Sequence, residues 1–266
     1  MNEGRKTESE RRVVFISPHL DDAVFSVGGM MAALAEEGYE LYLVTCFTRS
    51  VLNPTGFALA CQLDKGLTSE VDYMEMRRQE DALACQRLNA KPYWLDLLEA
   101  PHRGYHSAPD LFQNILPDDS VQDELVSRLE QRIRALAPDL VLSPVGIGNH
   151  VDHQQVKQAL STLQAQFSGV SFLQWYDEPY LSRHPTSYPQ EVSRQEWPGG
   201  DQLIQYADRS DATTISVNVA PYWKQKMSAC AAYATQLGFQ FGGEEGMRKV
   251  LAKEVNGQTQ YTELIL

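Results

Sequence analysis

At 266 residues, with 43% apolar and 22% charged side chains, the chain has the balance of a soluble globular protein and length enough for one large α/β domain. Its net charge of −12 argues against a nucleic-acid or anionic-membrane partner, because both require clustered Lys and Arg. No apolar run approaches the roughly 18 residues of a membrane span.

The N-terminus, MNEGRKTESERR, is charged and has no apolar signal core, so residues 1–11 read as a solvated tail and the location as cytoplasmic. Arg12–Ser17 is an apolar strand closed by Pro18, which cannot donate to a ladder. Ala23–Glu37 carries Val24, Val27, Met30, Met31 and Leu34 at helical spacing and stops at Gly38. Glu40–Phe47 is a second strand, Glu70–Leu88 a long amphipathic helix and Pro92–Leu97 a third strand. Ser120–Leu136 is a helix ended by Pro138, Leu140–Ser143 a fourth strand, Val151–Phe167 a helix and Val170–Tyr176 a fifth strand. Thr213–Val217 reads as a late strand and Ala220–Leu237 as a closing helix.

This alternation predicts a Rossmann-like, doubly wound α/β fold with a mostly parallel sheet, in a single domain over 1–266. Three irregular stretches interrupt it, at 48–68, 99–119 and 179–202. Loops longer than about 12–15 residues are uncommon unless functional or disordered. The four cysteines, Cys46, Cys61, Cys85 and Cys230, are widely spaced without a C-x-x-C pair, which favours buried thiols in a reducing compartment.

Two short segments carry the chemistry. Sites in open α/β sheets form just beyond the carboxyl ends of strands. His19, Asp21 and Asp22 follow the first strand, and His150, Asp152 and His153 follow the fourth. Catalytic zinc takes about three protein ligands from His and carboxylates and leaves one position to water. His19 and Asp22 are one turn apart and can face one point, with His153 or His150 as the third ligand. Metal-bound water would be the nucleophile, Asp21 the general base, and the spare histidine, oriented by Asp152, the group near the oxyanion and leaving nitrogen. Asp21 and Asp22 can at the same time cap the helix that starts at Ala23.

The chain resembles the PIG-L/LmbE-like zinc-dependent N-deacetylases, which remove N-acetyl groups from amino sugars and related natural products. Pro18-His19-Leu20-Asp21-Asp22 is similar to the family's first motif and His150-Val151-Asp152-His153 to its second. The resemblance implies zinc on His19, Asp22 and His153, with iron(II) in the cell left open. It implies Asp21 as base, His150 near the oxyanion and Asp152 tuning it. Arg77, in the Arg-x-x-Glu helix segment Arg77–Glu80, would contact substrate, and Arg103, in the loop after the third strand, is a second candidate. Tyr233-Ala234-Thr235-Gln236 and Tyr176-Asp177-Glu178-Pro179-Tyr180 also resemble family segments. Leu20 and Ala23 stand where many members carry Pro and Glu, as in a subgroup associated with glycoside and natural-product tailoring.

The expected partner is a small N-acetylated molecule, and a homo-oligomer is left open. A zinc amidase acting on another N-acyl group is the alternative, with a non-catalytic metal- or sugar-binding module as a further one. A dinucleotide site is disfavoured because Val151 takes the third glycine position after Gly146-Ile147-Gly148. No G-x-S-x-G elbow offers a serine nucleophile.

Overall fold

The computed structural model describes residues 11–209, 213–255 and 258–266. The first half runs β1 (Arg12–Ser17), α1 (Asp22–Glu36), β2 (Glu40–Phe47), α2 (Gly56–Leu63), α3 (Tyr73–Arg87), β3 (Ala90–Leu97) and α4 (Val121–Leu136). Next come β4 (Leu140–Pro144), α5 (Val151–Gln164), β5 (Ser171–Trp175), α6 (Tyr180–Arg183), β6 (Ser193–Gln195) and α7 (Gly200–Ala207). The chain closes with β7 (Ile215–Asn218), α8 (Trp223–Cys230), α9 (Ala234–Phe241), α10 (Glu244–Leu251), β8 (Lys253–Val255), β9 (Gln258–Gln260) and β10 (Thr262–Ile265).

Eight strands form one sheet in the order β3-β2-β1-β4-β5-β10-β7-β6. The first five are parallel to one another, and β10 enters antiparallel between β5 and β7. The expected doubly wound α/β architecture is therefore present. Strand side chains alternate faces, and the burial follows. Val13, Phe15, Leu41, Leu43, Leu140 and Leu142 pack under α1 and α8. Val14, Ile16, Tyr42, Val44 and Val141 face the layer built by α4 and α5. Strand order reverses between β1 and β4, so their two following turns open side by side into one crevice, where α/β sheets place ligands.

Several boundaries differ from the sequence expectation. The closing helix over Ala220–Leu237 is broken at Ala231–Tyr233 into α8 and α9. The break lets Tyr233 donate from its hydroxyl to Asp81 at 2.8 Å, while Glu80 accepts from the backbone of Thr235 at 2.7 Å. The stretch 48–68 contains α2, and 179–202 contains α6 and β6. The C-terminal strand β10, unassigned from sequence, is short and pairs on both sides. The expected tail over residues 1–11 lies outside the described residues except Arg11, which donates to the Tyr39 hydroxyl at 3.0 Å. Cys46, Cys85 and Cys230 are buried free thiols and Cys61 is half-buried.

β10 also repairs a defect in α1. Val27 leaves helical geometry at φ −131° and ψ 25°, which frees backbone N–H groups in the next turn. The Glu263 carboxylate accepts from Gly29 and Met30, each at 2.7 Å. Lys226 neutralises it at 2.7 Å and reaches the Ser26 carbonyl at 3.3 Å. A Cβ on Gly29 would meet Val219 Cγ2 at 2.7 Å, so the glycine admits this close approach.

Candidate metal centre and active site

The turn after β1 is held by its own side chains. Ser17 Oγ accepts from Ala23 N at 3.1 Å and donates to the His19 carbonyl at 2.7 Å. Asp22 Oδ2 accepts from His19 N at 2.8 Å. Helix capping at this end thus falls to Ser17, and neither aspartate caps α1 with its side chain as the sequence suggested. Asp21 sits at φ 149°, where a side chain is strained; such strain persists where surrounding structure overrides it and clusters at functional sites.

The turn after β4 is built from left-handed residues, Gly146, Gly148 and Asn149 at φ 88°, 81° and 64°. A Cβ on Gly148 would lie 2.8 Å from Tyr180 Cδ1, so glycine is required for both conformation and space. His150 then opens α5 and accepts at Nδ1 from Asp152 N at 3.2 Å.

The two turns converge. His19 Nδ1 lies 3.2 Å from Asp22 Oδ2, and His153 Nε2 lies 3.2 Å from the same oxygen. One ligand atom from each of His19, Asp22 and His153 falls within 4.8 Å of the others. His153 Nε2 is buried without a hydrogen-bond partner. Each imidazole gives its other nitrogen to a buried carboxylate: His19 Nε2 to Asp152 Oδ2 at 2.9 Å, and His153 Nδ1 to Asp177 Oδ1 at 2.6 Å. A carboxylate behind each histidine is the usual support for a metal-ligating imidazole. The donor set and the orphaned nitrogen fit a divalent cation. His150 groups with His19 and Asp152 within the same limit, but Asp152 Oδ2 is already bonded to His19, which favours the first triad.

The local field draws positive charge. Burial opposes a charged His153, yet Asp22 and Asp177 outweigh it and raise its pKa to about 9. Burial likewise opposes charge on His19, and Asp22 and Asp152 together raise it. Asp22 is held low against burial by His153 and His19. A divalent ion would satisfy the same carboxylates. Burial, with Asp22 beside it, pushes Asp21 up to about 8 while Arg77 pulls the other way. Asp21 Oδ2 has no hydrogen-bond partner. Burial and the neighbouring His19 take His150 down to about 3.

Asp152 does not hold His150 through its carboxylate. That group accepts from His19, from Ala100 N at 3.2 Å and from Arg103 at 2.6 Å; its backbone N–H is what orients His150. Arg103 is turned inward: it forms a two-pronged pair with Asp119 at 3.0 Å for each bond, the Nη2 of that pair also donates to Asp152, and Nη1 donates to the Leu98 carbonyl at 2.5 Å. With Phe47 beneath its guanidinium at 4.8 Å, it braces the site from behind the cleft. Arg77 does line the cleft. It binds Glu99 at 2.5 Å and the Leu20 carbonyl at 3.3 Å, and stands 3.9 Å from Asp21 Oδ2.

Asp177, Glu99, Asp119 and Phe112 had no role from sequence. Asp177 carried two usable signals, its place two residues beyond the carboxyl end of β5 and its membership of the family-like segment Tyr176–Tyr180. The others lie in loops with no periodicity. The cleft has a volume of about 210 Å³ and is walled by α2, the turn over Pro109–Phe112, α6 and α9. The irregular stretches at 48–68, 99–119 and 179–202 thus each contribute a wall.

Among described residues no helix is long and apolar enough to cross a membrane. The chain is 27% identical over 226 residues to a 2'-N-acetylparomamine deacetylase of Streptomyces fradiae, covering 85% of this chain and 73% of that protein. It is 26% identical over 254 residues to a 1D-myo-inositol 2-acetamido-2-deoxy-alpha-D-glucopyranoside deacetylase of Segniliparus rotundus, covering 85% and 77%. The crystal structure of an A40926 pseudoaglycone deacetylase superposes with a TM-score of 0.73 at 27% identity, covering 96% of each chain. Residues 14–164, which carry both turns, match the family described as PIG-L: GlcNAc-PI de-N-acetylase, and the chain belongs to that family.

Proposed function

We propose that this chain, acting as a single catalytic domain, is a metal-dependent N-deacetylase that hydrolyses the acetamide of an amino-sugar substrate to acetate and a free amine. The observation that carries the reading is the convergence of His19, Asp22 and His153 beside an Asp21 carboxylate oxygen with no hydrogen-bond partner. Two imidazoles and one carboxylate suit zinc, and equally iron(II). When bound, the ion supplies Lewis acidity, polarising an amide carbonyl and lowering the pKa of a water.

The chain's own groups do the rest. Asp21 accepts the proton of the attacking water at Oδ2 and passes it to the departing nitrogen. Because His150 Nδ1 already accepts from Asp152 N, its neutral ring carries the proton on Nε2. That N–H donates to the oxygen on which charge develops. Arg77 holds Asp21 by charge and Leu20 by hydrogen bond, so the turn cannot swing away. The cleft of about 210 Å³ is smaller than the ~300–1,000 Å³ that drug-sized ligands occupy, which suits one sugar ring with its acyl group.

The test is acetate and amine release from a panel of N-acetylated amino sugars by the zinc-loaded chain. Equimolar products that vanish with chelator and return with zinc are expected. Release of a different acyl group without acetate would make the chain a zinc amidase. Tight metal binding with no amide cleaved would leave a binding module.

A further inference from the structure

The Asp152 carboxylate joins the turn after β1 to the loop after β3. Its Oδ2 takes His19 Nε2 at 2.9 Å and the Ala100 N–H at 3.2 Å. Among the described residues its Oδ1 takes only Arg103 Nη2, at 2.6 Å. The side chain is wholly buried, so bulk water cannot stand in for a lost partner. The terminal torsion of a carboxylate is soft. Without a donor on Oδ1 the group can turn about its Cβ–Cγ bond, and that turn takes Oδ2 off His19.

Arg103 is itself held on every side. Nε and Nη2 meet the two oxygens of Asp119, Nη1 donates to the Leu98 carbonyl, and Phe47 lies under the guanidinium. Asp119 also accepts from the Tyr105 hydroxyl at 2.9 Å and from Gln155 of α5 at 3.2 Å, so the fork stands on a rigid base. Arg103 is not among the residues that line the cleft, and it does not touch what binds there. One planar group serves two carboxylates and a carbonyl at once, a pattern that the single nitrogen of a lysine cannot reproduce.

We propose that Arg103 is a positioning residue for the metal centre: by fixing Asp152 it aims the His19 ring so that Nδ1 faces the cation. This role rests on the metal-dependent deacetylase reading above and adds a residue one step further from the ion than Asp152. His19 donates its Nε2–H to the carboxylate, an acceptor-only group, which leaves the lone pair on Nδ1, 3.2 Å from Asp22 Oδ2. Loss of the support behind a ligating histidine lowers metal affinity typically 10–100-fold. Because Ala100 N still holds Oδ2, loss of Arg103 belongs at the lower end, roughly tenfold. The coupling is reciprocal, so an ion on His19 also tightens the contact between Asp152 and Ala100.

The experiment measures zinc affinity of the full chain by competition with a fluorescent chelator, and reads the ligand set from the visible spectrum of the cobalt(II)-loaded chain. Arg103→Gln and Arg103→Lys should each weaken zinc roughly tenfold and shift the cobalt bands, because neither serves Asp119 and Asp152 together. Tyr105→Phe removes the hydroxyl bond to Asp119 and loosens the same loop without touching Asp152; it should bind zinc like wild type. Equal affinity in wild type and both Arg103 variants overturns the assignment and leaves the deacetylase reading standing. So does full rescue by lysine, which would leave only a charge effect, and so does equal weakening by Tyr105→Phe, which would make Arg103 a loop fastener. If the wild type itself binds no zinc, the metal-dependent reading and this proposal fall together. Should neither Arg103 variant fold, amide hydrogen exchange of the wild type decides: zinc should slow exchange at Ala100, and an unchanged rate sinks the proposal.

Discussion

His153 gives its Nδ1 to Asp177 at 2.6 Å, while the other Asp177 oxygen accepts from Gly146 and Ile147 N at 2.8 and 3.1 Å. One carboxylate therefore fixes a candidate ligand and the turn that delivers it. Removing such support typically costs 10–100-fold in metal affinity. Asp177→Ala should weaken zinc binding by about that factor in competition with a fluorescent chelator. Unaltered affinity would reduce Asp177 to a loop fastener.

The roles of neighbours His19 and Asp21 are separable. Asp21→Asn should keep stoichiometric zinc, by elemental analysis of the dialysed protein, and lose turnover by roughly 10²–10⁴-fold, the usual worth of general acid–base catalysis. His19→Ala should lose both metal and turnover. Equal metal loss in the two variants would place Asp21 among the ligands and undo its assignment as base.

Asp81 gives a pH test away from the metal centre. Burial raises its pKa to about 6, although hydrogen bonds from Trp94 and Tyr233 oppose the shift. The fold prefers the protonated form, so its contribution is fully present below pH ~4 and is lost as pH rises to ~6. Across that window the unfolded chain releases the proton first. Asp81→Asn removes this loss. Its denaturation free energy relative to wild type should climb by about 1–3 kcal/mol between pH 4 and 7. A flat difference would mean that Asp81 ionises normally in the fold.

The Lys226–Glu263 pair is buried, and removing one partner strands the other. Lys226→Met should destabilise by about 3–5 kcal/mol, read from the urea midpoint at constant m-value. Adding Glu263→Gln should recover part of the loss, since the glutamine amide oxygen can still accept from the kinked backbone of α1. A double variant no more stable than the single one would show that packing, rather than charge, was lost.

Much of this protein was legible in its residues. The apolar runs of Arg12–Ser17 and Glu40–Phe47, buried almost throughout, are a local property, so strands, helices and the parallel sheet could be read directly. Because parallel sheets open their crevices at strand ends, the sequence also placed His19, Asp22 and His153 near one another before any coordinates. Tertiary packing decided the rest. It turned Arg103 onto Asp119 and Asp152 instead of the cleft, and gave His150 the backbone of Asp152 rather than its carboxylate. It brought Asp177 behind His153, and it broke the last long helix so that Tyr233 could reach Asp81. These contacts depend on which elements meet across the sheet. Neither periodicity nor motif spacing encodes that, because each partner is chosen by the geometry of burial rather than by its neighbours in the chain.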